Sequence, residues 1–232
     1  MRCVVKAVVF DAVGTLIRPS RPVADAYRDA GLRYGLDLSR DTIQQRFRQA
    51  FARQESIDAR QATWTTDTSR ERRRWREIVR EVFQPVAEPG DADALFESLW
   101  SHYASPQSWT VYEDARPVWT ELGGRGLVRV VASNLDDRLS SILGGLPPFH
   151  QCADVCVSAE LGVRKPSPSF FAAVQQRLQL ESEQLLMVGD DYAADYEAAR
   201  ACGWQALHLD RQAGCPEGPV IHQLHDLLAV LA

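Results

Sequence analysis

Asp11 lies where the valine-rich run of VVFDAVGTL (8–16) enters a Gly14-Thr15 turn, which presents one carboxylate at the end of a buried strand. Three later stretches end in comparable groups: Ser133-Asn134 in VVASN, Lys165 in GVRKPSP, and Asp190, Asp191 and Asp195 in MVGDDYAAD. Together they supply a nucleophile, hydroxyl and amide donors, a fixed cation and a carboxylate cluster. Carboxylates gathered within a few ångströms repel unless they are protonated or paired with positive charge. One lysine cannot neutralise Asp11, Asp190 and Asp195, whereas a hard divalent cation with oxygen ligands can, and Mg²⁺ favours one or two carboxylates plus substrate phosphate oxygens. Asp11 would then attack phosphorus to give an aspartyl-phosphate that water hydrolyses. Ser133, Asn134 and Lys165 would hold the transferring oxygens and offset their charge.

These residues converge only if the elements carrying them lie side by side. The apolar run at 4–10 has the composition of a strand covered on both faces, and similar runs recur at 127–133, 154–158, 185–189 and 205–210. Helical patterns separate the later runs, at Asp136 to Leu143, Pro168 to Leu178 and Tyr192 to Cys202, with Gly203 as a stop. Alternation of this kind predicts a parallel sheet in an α/β fold whose ligands bind at the carboxyl ends of the strands. Residues 18–110 contain no comparable strand run and read as four helices, Pro22 to Tyr34, Ser39 to Ser56, Asp67 to Phe83 and Asp91 to Tyr103. Pro22 suits a first helical turn, and Ser39 and Asp91 are expected N-caps. PVAEPGD (85–91) reads as a turn between helices. The expectation is a Rossmann-like core of residues 1–17 and 111–232, with a helical-bundle cap of residues 18–110 over its active edge.

In this order the four motifs resemble the haloacid dehalogenase-like hydrolase superfamily, with a helical cap inserted after the first motif. The resemblance implies that Asp11 is nucleophile and metal ligand, that the Val13 carbonyl and Asp190 complete the Mg²⁺ site, and that Asp195 contributes through water or by orientation. Asp191 is a weaker candidate. Ser133 and Lys165 take catalytic roles, and Gly14, Thr15 and Asn134 are assigned to the substrate. One departure stands out: family phosphatases carry an aspartate where this chain has Val13, and loss of general acid-base help costs about 10²–10⁴-fold. A phosphatase of low turnover acting on a small phosphorylated metabolite is the expected activity. Alternatives are a 2-haloacid dehalogenase, whose halide leaves without a proton, or a non-enzymatic phosphate-ligand sensor. The acidic pole at Asp190 and Asp191 speaks against the dehalogenase, which carries neutral residues there. Phosphonate-cleaving relatives need a cap lysine, and 18–110 contains none.

Composition bounds the rest. Lysine occurs only at Lys6 and Lys165 among 26 cationic residues, so the lysine in the third motif is not a composition effect. A net charge of -5 favours neither nucleic acid nor an anionic membrane surface. Five scattered cysteines, without Cys-x-x-Cys spacing, read as reduced thiols. The apolar run before Asp11 is too short for a signal peptide and no run reaches the ~20 residues of a membrane span, so the chain is expected in the cytosol. The Arg-rich segment 69–81 interleaves glutamates at helical spacing and reads as a solvated face. The tryptophans between 64 and 119 read as packing, with a pocket for an apolar substrate as the alternative, and the five histidines as structural. Oligomeric state has no signature in the sequence.

Overall fold

The computed structural model describes residues 5–61, 64–84, 89–212, 214 and 219–231. In chain order β1 (Ala7–Phe10) and β2 (Ile17–Pro19) precede four helices, α1 (Val23–Leu32), α2 (Arg40–Arg60), α3 (Thr68–Phe83) and α4 (Pro89–Ala104). Then come β3 (Trp109–Val111), α5 (Ala115–Gly124), β4 (Val128–Ser133), α6 (Arg138–Gly144), β5 (Asp154–Val157), α7 (Ser158–Leu161) and α8 (Pro168–Leu178). The chain continues through β6 (Leu185–Gly189), α9 (Ala198–Ala201), β7 (Gln205–Leu209), β8 (Val220–Ile221) and α10 (Asp226–Val230). Six strands form one sheet in the order β5-β4-β1-β6-β7-β8, and every pairing is parallel. This is the expected Rossmann-like α/β architecture. Strand order reverses beside β1, and the carboxyl ends flanking such a reversal leave a crevice.

Strand alternation builds a core on each face of the sheet. Val8 and Phe10 of β1 join Val188 and Trp119 on one side, while Ala7 and Val9 join Met187, Phe171 and Trp204 on the other. All four residues of β1 are fully buried, which is why the run reads as continuously apolar. Helices α1–α4 close around a separate cluster that includes Tyr27, Ile43, Phe83 and Phe96. Ser39 caps α2 by accepting from Thr42 N at 3.1 Å, and Asp67 caps α3 by accepting from Arg70 N at 2.6 Å.

Several local expectations change. Asp91 falls inside the first turn of α4, whose start at Pro89 puts it past the N-cap. The stretch 192–202 begins as a π-helical segment, Tyr192–Glu197, before α9. Helix α5 and the short antiparallel pair β2–β3 carry no clear periodicity in the sequence; the pair joins the two chain crossings between bundle and sheet. Residues 85–88 of the expected interhelical turn, and Cys3 and Cys215, lie outside the described residues. Cys152, Cys156 and Cys202 are free thiols. Among the described residues no helix is long and apolar enough to cross a membrane.

Candidate active site

Asp11 directly follows β1, and its backbone N–H donates to Val188 O at 2.9 Å, which fixes it beside the end of β6. Its Oδ1 accepts from Ser133 Oγ at 3.0 Å and from Lys165 Nζ at 2.8 Å. No hydrogen bond among the described residues reaches Oδ2, so one oxygen is held and the other is not. Lys165 is buried and spends its ammonium on three acceptors: Asp11, Ala132 O at 3.0 Å and Asp195 Oδ1 at 2.5 Å. Burial alone would lower its pKa, but Asp11 and Asp195 outweigh that and hold it above the usual ammonium range.

The carboxylates of Asp11, Asp190 and Asp195 place ligand oxygens within 4.8 Å of one another. Burial, with Asp11 adding repulsion, pushes Asp195 up to about 7 against the pull of Lys165. Asp190 opens onto the pocket, yet the protein crowding it and the nearby Asp11 push it up to about 6. A cluster of three acids with one ammonium is short of positive charge, and hard oxygen donors at this spacing suit Mg²⁺. The donor set therefore fits the metal that the sequence implies. Two glycines make the cluster possible. A Cβ on Gly14, whose φ of +96° already disfavours other residues, would collide with the Asp190 carboxylate, and one on Gly189 would collide with that of Asp195.

The remaining expected residues sit here, but several face one another instead of the open pocket. Thr15 is fully buried and donates Oγ1 to Asp190 Oδ1 at 2.9 Å. Gly14 N–H closes the turn onto Ile17 O at 2.9 Å. Asn134 turns both ends of its amide to the Lys165 peptide, accepting from Lys165 N at 2.8 Å and donating to Lys165 O at 2.9 Å. Asp191 is exposed and accepts from Ala194 N at 2.9 Å, so it caps the following segment, and its own N–H donates to Asp195 Oδ2 at 3.2 Å. The Thr15 and Asn134 side chains, assigned to substrate, thus brace Asp190 and Lys165.

Sequence reasoning missed two supports. Arg211 donates to Gly14 O at 3.2 Å and Thr15 O at 2.9 Å while paired with Asp114 at 2.8 Å, so it clamps the turn that carries Asp11. A second charge cluster borders the same cleft: Asp58 accepts from Arg70, Arg74 and Arg164, and Glu55 pairs with Arg74 and with Arg164, the latter at 3.1 Å. Glu71 accepts from Thr66 Oγ1 at 2.7 Å, and burial raises its pKa. The Arg-rich segment is therefore only partly a solvated face. Arg72 and Arg76 pair outward with Glu97, whereas Arg74 is buried and pairs inward. Backbone bonds tie the segment between α2 and α3 to the sheet side, Thr66 N to Gly162 O at 3.0 Å and Arg164 N to Trp64 O at 2.9 Å.

Bundle and sheet enclose a cleft of about 460 Å³ lined by Asp11, Ser133, Lys165, Asp190, Arg74 and Trp75, among others. A second cavity of about 340 Å³ adjoins it.

A family model described as haloacid dehalogenase-like hydrolase matches residues 5–203. The chain is 31% identical over 241 residues to haloacid dehalogenase-like hydrolase domain-containing protein 3 of Homo sapiens, covering 99% of this chain and 95% of that protein. It is 29% identical over 205 residues to ribulose-1,5-bisphosphate 5-phosphatase of Halopiger xanaduensis, covering 88% and 84%. Its fold matches a solved L-2-haloacid dehalogenase of Xanthobacter autotrophicus with a TM-score of 0.74, 22% identity and 98% coverage of each chain. That last likeness concerns the fold alone.

Proposed function

The chain belongs to the haloacid dehalogenase-like hydrolase family, and from that premise we propose that it is a Mg²⁺-dependent phosphatase of small phosphorylated metabolites, acting through Asp11. The observation that carries the reading is the set of three carboxylates held within 4.8 Å of one another beside a single lysine. Asp11, Asp190 and the Val13 carbonyl would hold the metal, with Asp195 orienting Lys165. Bound there, Mg²⁺ would lower the cost of bringing a phosphate dianion against carboxylates. Asp11 Oδ2 attacks phosphorus while Ser133 and Lys165 hold Oδ1 in place, and water then releases phosphate and restores the carboxylate. The similarity to a ribulose-1,5-bisphosphate 5-phosphatase supports phosphoryl chemistry.

In this reading residues 1–17 and 111–232 are the catalytic core and 18–110 the cap, and the protein works in the cytosol, where its thiols stay reduced. Val13 provides no proton, so turnover is slow for esters whose leaving alkoxide needs one. The test is phosphate release with Mg²⁺ from a panel of acyl, aryl and alkyl phosphates, with Asp11→Asn as control; no release from any member, or equal release by the variant, rejects the reading. Val13 also favours a second reading, 2-haloacid dehalogenation, which predicts metal-independent halide release from 2-chloropropionate.

A further inference from the structure

The cavity of about 340 Å³ beside the cleft is unlike it in chemistry. Tyr27, Phe47, Phe96 and Trp100 of the bundle face Leu135 and Ile142 of the sheet side across it. Arg138 is the one charged side chain lining it among the described residues, and it is already spent: it pairs with Asp136 at 2.7 and 2.8 Å, donates to Trp100 O at 3.2 Å and stacks over the Trp100 ring at 3.3 Å. No free charge there would bind a second phosphate or carboxylate, and a wall this apolar would repay little of the desolvation of a sugar's several hydroxyls. The Tyr103 hydroxyl, buried and without a partner among the described residues, belongs to a residue of this wall.

Val13, Phe51, Trp75, Trp109 and Leu135 line both spaces, so the apolar cavity opens beside the group that would attack phosphorus. Val13 is thus a wall of the cavity at the position where a proton donor would stand. A carboxylate there would lose its hydration against an aromatic surface. Without that donor the leaving oxygen departs as an anion. An alkoxide, about as basic as hydroxide, departs poorly, whereas a phenolate, whose acid titrates at about 10, depends far less on a proton donor. Cavity and missing acid therefore select the same kind of leaving group for separate reasons. The volume lies within the ~300–1,000 Å³ of small-molecule pockets.

We infer that the substrate is a phosphomonoester of an uncharged phenolic alcohol, its ring seated in the apolar cavity and its phosphate beside Asp11. The inference rests on the phosphatase reading and narrows it. Asp11 Oδ2 forms a bond to phosphorus as the phosphorus–aryl oxygen bond breaks, and that electron pair leaves on the phenolate. Water then cleaves the aspartyl-phosphate, restoring the Asp11 carboxylate and giving hydrogen phosphate, which keeps one of the water's protons while the other goes to the phenolate.

The test compares kcat/KM for 2-naphthyl phosphate, phenyl phosphate, acetyl phosphate, ribose 5-phosphate and glycerol 3-phosphate with Mg²⁺. Filling the cavity by Val79→Phe, or by Val23→Phe at a half-buried site, should raise KM for 2-naphthyl phosphate at least ~10-fold, since a hydrophobic pocket discriminates on this scale, and leave acetyl phosphate unchanged. Both sugar-type esters should be the poorest substrates. Turnover of ribose 5-phosphate as fast as the aryl esters, or filling variants that affect every substrate equally, overturns the inference and leaves the phosphatase reading standing. If no ester is hydrolysed the phosphatase reading falls, and calorimetry with 2-naphthol decides the cavity separately: micromolar binding weakened ~10-fold by either variant supports it, and no binding rejects it.

Discussion

Two buried charge clusters border one cleft, and consecutive residues feed them. Lys165 reaches Asp11 and Asp195, while Arg164 reaches Asp58 and Glu55. Around Arg164 three acids (Asp58, Glu55, Glu71) meet three guanidinium groups (Arg70, Arg74, Arg164), so charge balances and the cluster ties α2 and α3 to the sheet side. Around Lys165 three acids share one ammonium, and Asp190 and Asp195 are pushed up to about 6 and 7. A balanced buried cluster is a structural device that is costly to break from one side. An unbalanced one holds its acids away from their ordinary titration, which is the pattern of a functional site, and it suits the cation of the proposed function.

Substitutions that treat the two clusters alike should give opposite results. The largest effect is expected from Asp11→Asn, which should lower phosphate release by at least ~10³-fold while leaving the circular dichroism spectrum unchanged. Asp58→Asn removes an acid from the balanced cluster and strands buried guanidinium charge; urea denaturation should show a loss of about 3–5 kcal/mol. Asp190→Asn removes an acid from the unbalanced cluster and keeps a partner for Thr15, so without metal at pH 8 the same measurement should show a gain of about 0.5–2 kcal/mol. That variant should also lose the stabilisation that Mg²⁺ gives wild type. Destabilisation by Asp190→Asn would refute the contrast.

The smallest effect sharpens its cause. Asp190 titrates higher folded than its ordinary 3.8, so its contribution to metal-free stability is whole below about pH 4 and is lost as pH rises through about 6. The stability difference between wild type and Asp190→Asn should therefore vanish near pH 4, open between pH 4 and 7, and close again when Mg²⁺ is added at pH 8. A difference independent of pH would mean that Asp190 acts through shape and not charge.

The sheet was largely legible because strands buried on both faces must be continuously apolar, as AVVF of β1 and LLMVG of β6 are. β2, β3 and β8 escaped notice because two or three residues carry no period. In the same way Asp11, Ser133 and Asp190 announced themselves at the ends of apolar runs, and Lys165 by being one of only two lysines. Arg211, Asp114, Asp58 and Arg164 did not, since Arg211 and Asp114 lie 97 residues apart, Asp58 and Arg164 lie 106 apart, and an arginine in an arginine-rich chain looks the same paired or solvated. The Arg-rich helix shows the limit plainly: helical spacing indicated pairing on the helix, and only packing against α2 turned Arg74 inward.

Sequence alone determined which groups the chain owns: an aspartate at a strand end, one lysine placed among many arginines, an acidic pole, and valine in place of a proton donor. These are chemical identities, and folding cannot change them. Tertiary structure decided their partners, because a hydrogen bond or desolvation depends on distances set by the whole sheet. It turned Thr15 and Asn134 from expected substrate ligands into braces for Asp190 and Lys165. It also made Val13 the shared wall of an acidic cleft and an apolar cavity, which no reading of VVFDAVGTL by itself contains.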